Sequence, residues 1–316
     1  MSRVLVTGGA GFIGSHLVDA LLAAGHLVTV IDDFSSGRED NVRQARSHPN
    51  FSLRKIDIND SLEEIFAQGP FETIFHLAAQ ANVQKSIEDP VADARTNILG
   101  TINLLQNAVK FGVKKFVFTS SVAVFGEPKY LPVDEDHPSH PLSPYGASKK
   151  AAEDYIRHFQ KAHHLSADIL VLGNVYGPRQ DPFGEGGVIA IFTQEMVSGG
   201  QPAIYGTGEQ TRDFVYVRDV VRALLSCQNL TKEDTVRRFV IGTGHETTVK
   251  SVYQSLKKLT KFDRGPRYLS ERAGEIRAMH INSDKAISIL GWHAEINIEE
   301  GLEKTVAWFI ETAGAK

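Results

Sequence analysis

Residues 143–150 read SPYGASKK and set a phenol and an ammonium, Tyr145 and Lys149, four positions apart. Ser143 suits a helix N-cap and Pro144 the first helical position. Tyr145 then falls in the first turn, and Lys149 lies one turn further along the same face. The positive end of the helix dipole and a neighbouring ammonium both favour phenolate over phenol. Free tyrosine titrates near 10, and bringing it to about 7 takes about 4 kcal/mol of preference for the anion. A phenol tuned in this way is a general base at neutral pH. Upstream, FVFTSSVAVFG (116–126) reads as a strand ending in Thr119, Ser120 and Ser121. A serine hydroxyl there can hydrogen-bond a substrate hydroxyl and relay its proton. An ordinary helix start and strand-end turn formers would use the same residues, so the surrounding elements have to decide.

The first half alternates short β-branched runs with amphipathic helical stretches. RVLVT (3–7), LVTVID (27–32), FSLRKID (51–57), ETIFHL (72–77), KKFVFTS (114–120) and ADILVL (167–172) read as strands. Helical patterns are expected at 12–24, 61–68, 90–111 and 144–163. This rhythm predicts an α/β fold of the Rossmann type, a doubly wound parallel sheet covered on both faces. Ligands of such sheets bind at the carboxyl ends of the strands. After residue 173 the rhythm breaks at the Gly- and Pro-rich loop 177–187, and the elements become shorter and mixed. Helices are expected near 188–199, 217–228, 248–259 and 299–312, and a strand near 203–205. The expected division is a dinucleotide-binding domain over 1–173, with a return element near 217–245, and a smaller α/β substrate domain over 174–316.

Residues 7–14, TGGAGFIG, join the first strand to the first helix and place glycines at 8, 11 and 14. In this context Gly8 permits a tight turn, Gly11 lets backbone approach a pyrophosphate, and Gly14 permits close helix packing. The free N–H groups of the helix start then face the anion. Asp32 ends the second strand, 24 residues after Gly8 (32 − 8). A carboxylate there accepts hydrogen bonds from ribose hydroxyls and, with Asp33, repels a 2′-phosphate, which favours NAD over NADP. Arg38 argues the other way, because a nearby arginine can accommodate that phosphate. Asp57, at the end of the third strand, is placed either to meet an adenine amino group or to form a turn.

Composition narrows the class. The chain has 316 residues, 42% of them apolar, a net charge of −4 and an isoelectric point near 6.3, with no basic run to suggest a nucleic-acid partner. Cys227 is the only cysteine, which excludes an internal disulfide and suggests a reducing compartment. The opening MSRVLVTGG carries no apolar signal segment and no run of 18 apolar residues occurs, so a cytoplasmic protein with no membrane span is expected. The twelve histidines show no metal-ligand spacing, and no metal is expected.

Taken together, TGGAGFIG, Asp32, Asp57-Ile58, HLAAQANV (76–83), Asn97, TSSVAVFG, YGASK, GNVYGPRQDP (173–182), IYGTGEQTRDFVYVRDV (204–220) and ERAGE (271–275) resemble the extended short-chain dehydrogenase/reductases. The resemblance runs nearly end to end and is nearer to the nucleotide-sugar 4-epimerases of the UDP-galactose 4-epimerase type. It implies a bound NAD held by Gly8, Gly11, Phe12, Ile13, Gly14, Asp32, Asp33, Ser35, Gly37, Asp57, Ile58, Leu77, Ala78, Ala79, Gln80, Asn97, Thr119, Tyr145 and Lys149. It implies that Tyr145 removes the proton of a sugar 4-hydroxyl, that Ser121 orients that hydroxyl, and that Lys149 lowers the tyrosine pKa and holds the nicotinamide ribose. A transient 4-keto sugar then turns and is reduced on its other face. For the UDP-sugar, the resemblance implies contacts from Ser121, Asn174, Val188, Ile204, Tyr205, Arg212, Arg272, Glu275 and Met279. The family also implies a homodimer through helices near 97–111 and 144–163.

Departures from the commonest pattern are Phe125 in place of a tyrosine, and Val171-Leu172-Gly173 where relatives often read R-Y-F. Met279 is intermediate in size where relatives vary, so the glucose/galactose pair and the N-acetylhexosamine pair both stay open. Val122-Ala123 follow the active-site strand where dehydratases and decarboxylases of this fold carry acids. Asp181 stands where UDP-glucuronate 4-epimerases tend to carry a basic residue, which favours a neutral hexose. A non-catalytic NAD-binding protein of the same fold is the reading from another class. Such relatives typically lose the tyrosine or the lysine, and this chain keeps both.

Overall fold

The computed structural model describes residues 1–184, 187–230, 235–271 and 276–314. Its strands are β1 (Arg3–Thr7), β2 (Leu27–Asp32), β3 (Phe51–Lys55), β4 (Thr73–His76), β5 (Lys115–Ser121), β6 (Ser166–Leu172), β7 (Asn174–Tyr176), β8 (Ala203–Tyr205), β9 (Thr211–Arg212), β10 (Phe214–Tyr216), β11 (Val236–Ile241), β12 (Thr247–Thr248) and β13 (Arg267–Leu269). The helices are α1 (Phe12–Ala23), α2 (Glu63–Phe66), α3 (Val83–Glu88), α4 (Pro90–Ala94), α5 (Gly100–Lys110), α6 (Pro144–His163), α7 (Val188–Val197), α8 (Val217–Asn229), α9 (Val249–Leu259) and α10 (Ile298–Gly314).

Among the described residues, seven strands form one parallel sheet in the order β11-β6-β5-β4-β1-β2-β3. The period of two in each strand sends alternate residues to opposite faces. Leu5, Ile74, Phe116, Ile169 and Val240 face a core closed by Leu104 and Leu105 of α5 and by Ala152 and Ile156 of α6. Val6, Phe75, Val117, Leu170 and Phe239 face a core closed by Leu17 and Leu21 of α1 and by Val220 and Leu224 of α8. With apolar contacts on both faces, the strands read as near-continuous apolar runs. A third core joins α7, α9 and α10 through Phe192, Tyr253, Leu256 and Leu302. The chain comes back to the edge of the main sheet as β11, beside β6.

Strand order reverses between β1 and β4. The chain runs outward from β1 to β3 and then crosses back to β4. The crevice at their carboxyl ends is where such sheets bind ligands. There the Leu77 N–H donates to the Thr7 carbonyl at 3.2 Å and the Ala78 N–H to Thr7 Oγ1 at 3.1 Å.

The helix expected over 90–111 is broken. Asp89 caps α4 by accepting from the Ala92 N–H at 2.9 Å, and a π-turn over Arg95–Leu99 separates α4 from α5. Helix α3, capped by Asn82, was not apparent from apolar spacing. The strand expected over 51–57 ends at Lys55, where Asp57 starts a turn instead. No helix among the described residues is long and apolar enough to cross a membrane.

Candidate active site

Helix α6 starts as its residue types require. Ser143 Oγ accepts from the Gly146 N–H at 3.1 Å, and Pro144 occupies the first turn. Gly146 lies so close to the loop after β5 that a Cβ there would stand 2.4 Å from the Ala123 carbonyl oxygen. The close approach brings Tyr145 and Ser121 to the wall of one cavity of about 930 Å³. Strand alternation separates the two serines. Ser120 Oγ donates to Glu153 Oε1 at 2.6 Å inside the core, while half-buried Ser121 faces the cavity and its Oγ accepts from the Ala123 N–H at 3.2 Å.

Lys149 is 3% exposed, and its Nζ lies 4.3 Å from the centroid of the Phe118 ring. Burial pushes its pKa down to about 7, against the opposing charges of Glu153 and then Asp93. His76, on β4, is held between Thr7 Oγ1 at 2.8 Å and Thr101 Oγ1 at 2.9 Å. Burial, and secondarily the Lys149 charge, keep it neutral well below the usual histidine range.

The glycine loop crosses the carboxyl end of β1. A Cβ on Gly14 would stand 2.1 Å from the Gly8 carbonyl oxygen, so the first turn of α1 and the loop can touch only as glycines. No side chain caps α1 at Gly11, and Phe12, Ile13 and Gly14 line the cavity, leaving the first N–H groups to meet an anion. Asp32 also lines the cavity, with Oδ2 accepting from the Ala10 N–H at 2.8 Å and Oδ1 from the Phe34 N–H at 2.9 Å. Each oxygen keeps a lone pair for a further donor. Burial raises its pKa, against the two backbone N–H groups. An uncapped helix start, a glycine cradle and a strand-end carboxylate fit a dinucleotide.

Asp33, Ser35, Asp57, Ile58, Leu77, Ala78, Ala79, Gln80 and Thr119 line the same cavity. Asp57 also forms the turn that its position allows, accepting from the Asn59 N–H at 2.8 Å. Two expected cofactor residues lie elsewhere. Gly37 packs behind the Asp32 carboxylate. Asn97 is buried off the cavity wall, because the π-turn aims it at α6. Its Oδ1 accepts from the Gln80 N–H at 2.9 Å, and its Nδ2 donates to the Gln80 carbonyl at 2.9 Å and to Ser148 Oγ at 3.0 Å.

Toward the C-terminal part of the chain the cavity is lined by Asn174, Val188, Tyr205, Arg212 and Met279. Arg212 Nη1 donates to the carbonyls of Thr211 and Ile276, at 2.8 Å each. Its neighbour Asp213 is buried and turned away, accepting from Thr243 N–H and Oγ1, Gly244 N–H and Ile281 N–H. Ile204 points its side chain into the third core, so only its backbone is available to a ligand. Arg272 and Glu275 lie outside the described residues.

The structure changes two readings of charge. Arg38 Nη2 is 2.8 Å from Asp181 Oδ1, so the arginine that could have met a 2′-phosphate is paired. Asp181 in turn is absent from the cavity wall, and the expectation that it repels a sugar carboxylate loses its geometric basis. Glu195, Gln201 and Arg267 line the far end of the cavity and were not foreseen. For Glu195 a signal existed, since 188, 191, 192 and 195 follow the spacing of one helical face.

The chain matches the profile of the GDP-mannose 4,6 dehydratase family over residues 5–305. The chain belongs to that family. Within it, the chain is 41% identical over 309 residues to the UDP-glucose 4-epimerase of Mycolicibacterium smegmatis, spanning 97% of this chain and 98% of that one. The Thermotoga maritima UDP-glucose 4-epimerase, solved with UDP-glucose, superposes with a TM-score of 0.92 at 43% identity, over 98% of this chain and 99% of that one. The Thermus thermophilus UDP-glucose 4-epimerase, solved with NAD, superposes with a TM-score of 0.88 at 37% identity, over 97% and 98%. Membership of the GDP-mannose 4,6 dehydratase family agrees with the extended short-chain dehydrogenase/reductase motifs and their epimerase-like character.

Proposed function

We propose that this protein is an NAD-dependent 4-epimerase of a neutral UDP-hexose. The observation that carries the reading is the convergence of Tyr145, Ser121 and Lys149 on the cavity that the glycine loop and Arg212 also line. The solved relatives with UDP-glucose and with NAD support it. When bound, the dinucleotide supplies reversible oxidation and reduction at sugar C4 and is regenerated in each cycle. It would be held by Gly8, Gly11 and Gly14, by the start of α1 and by Asp32.

Tyr145 takes the proton of the C4 hydroxyl and later returns one to the other face. Ser121 holds that hydroxyl toward the tyrosine. Lys149 keeps positive charge beside the phenolate. Asn174 and Arg212 hold the diphosphate, for which the guanidinium fork is suited. Anchoring the diphosphate alone leaves the sugar free to turn, and Val122, Ala123 and Met279 line the wall without a charge to arrest it. The absence of a carboxylate at Val122-Ala123 disfavours elimination and decarboxylation. A UDP-uronate is the second reading, favoured by the turning of Asp181 toward Arg38.

Exposed Leu99, just before α5, and Tyr155 on α6, at 55% and 40%, support a homodimer through the helices near 97–111 and 144–163. Light scattering at micromolar concentration tests it, and a monomer would count against it. The buried single cysteine Cys227 is compatible with a reducing, cytoplasmic setting.

The test of function is conversion of UDP-galactose to UDP-glucose by the purified protein with NAD, with UDP-N-acetylgalactosamine and UDP-glucuronate in parallel. Conversion of UDP-galactose supports the reading. Turnover of UDP-glucuronate alone replaces it with the second.

A further inference from the structure

Tyr145, Lys149 and Glu153 are spaced by four along α6 and share one face. Two buried carboxylates act on the Lys149 ammonium, and they differ in one respect. Glu153 has a cation of its own, since Arg238 Nε lies 3.0 Å from its Oε2, and Ser120 Oγ donates to its Oε1 at 2.6 Å. Asp93, 1% exposed on α4, has none among the described residues. Its Oδ1 accepts from Gln80 Nε2 at 2.9 Å and from Asn97 Nδ2 at 3.1 Å. Its Oδ2 is buried with no hydrogen-bond partner among the described residues. A buried carboxyl oxygen without a donor is costly and calls for an explanation.

We propose that Asp93 is a positioning residue for the reaction at Tyr145, the uncompensated buried carboxylate that keeps the Lys149 ammonium charged. The inference rests on the roles of Tyr145 and Lys149 proposed above. Helix α4 packs against α6, and the π-turn that follows Asp93 carries Asn97 onto Ser148, the residue before Lys149. Among the described residues, the charged and titratable groups around the lysine are Tyr145 and Glu153 on its own helix, Asp93 on α4 and His76 on β4, with Arg238 of β11 and Arg157 of α6 behind Glu153. His76 is neutral and Glu153 is offset by Arg238. Both carboxylates oppose the loss of the lysine proton, and Asp93 does so without a cation of its own among the described residues.

The experiment is the pH dependence of kcat for UDP-galactose epimerisation in the NAD-loaded enzyme. Asp93→Asn keeps shape and removes charge. Its alkaline limb is expected to move to lower pH by about half a unit or more, and Asp93→Glu is expected to restore the wild-type limb. A uniform loss of kcat with an unmoved limb would overturn the proposal and leave Asp93 a structural residue. If Asp93→Asn does not fold, the double variant Glu153→Gln/Arg238→Met still decides. Removal of that pair takes away both a carboxylate and the cation that offsets it, so the limb is expected to move by less than the shift expected of Asp93→Asn, and a larger shift would transfer the role to Glu153. Tyr145→Phe is run beside them. Its loss of turnover upholds the reading underneath, and full activity there would overturn both.

Discussion

The Lys149 ammonium stands 4.3 Å from the centroid of the Phe118 ring, tying the helix that carries Tyr145 to the strand that carries Ser121. The ring face attracts the cation at a place where water cannot. Burial pushes the lysine down to about 7, so it is ammonium below that pH and neutral above it. Only the ammonium stabilises the phenolate. Turnover is therefore expected to fall as pH rises through and beyond about 7. Phe118→Leu removes the ring's contribution of about 1 kcal/mol, and its alkaline limb should lie lower still. A Phe118→Leu profile with its limb at higher pH than the wild type would contradict this.

Tyr145→Phe keeps the ring, the helix start and the cavity wall and removes one hydroxyl. Loss of a general base costs about 10²–10⁴-fold in rate. Turnover should drop within that range while NAD affinity, measured by calorimetry, stays near the wild-type value. A parallel loss of NAD binding would make the phenol a cofactor contact rather than a base.

Much of this site was legible because it is built from local geometry. Tyr145 and Lys149 share a face through i,i+4 spacing, and the glycine loop and Asp32 are set by a strand, a turn and a strand end. Contacts distant in sequence were not legible. Arg38 and Asp181 are 143 positions apart, and nothing local announces that they neutralise each other. Asn97 reads as part of one long helix, yet the π-turn rotates it off the cavity and onto Ser148. Ile204 and Tyr205 are adjacent, and strand alternation sends one into the core and the other to the cavity. Asp93 left no periodic signal, since its importance lies in what it lacks.

Gly146→Ala probes the seam between α6 and the loop after β5. The added carbon would meet the Ala123 carbonyl at 2.4 Å, so backbone must move. Overpacking of this kind costs about 1–3 kcal/mol. The variant should melt earlier and lose kcat more than it loses NAD affinity, because the displaced groups are Ser121 and Tyr145 rather than the glycine loop.

Asp181→Ala releases Arg38 beside the strand-end carboxylates. Binding of NADP should rise relative to NAD in that variant, and Arg38→Ala should abolish the gain. The pair is half exposed on the arginine side, so stability should change by less than about 1 kcal/mol. Unchanged NADP binding in Asp181→Ala would mean that Asp32 and Asp33 suffice for discrimination.

Asp213→Asn places an amide where four donors now converge on a carboxylate, from Thr243, Gly244 and Ile281. At least one donor is left facing another, at a cost of about 1–3 kcal/mol. Denaturant unfolding should show that loss. An unchanged midpoint would show that the knot between residue 213, the turn after β11 and residue 281 contributes little.

The central claim is that one carbon is oxidised and then reduced within a single site. It is tested most directly with UDP-galactose carrying deuterium at C4, incubated with the enzyme and NAD in ordinary water. The expected product is UDP-glucose that retains the deuterium at C4, because Tyr145 and Ser121 exchange only the hydroxyl proton. Loss of the label to solvent, with epimerisation intact, would contradict it and require proton abstraction from carbon instead.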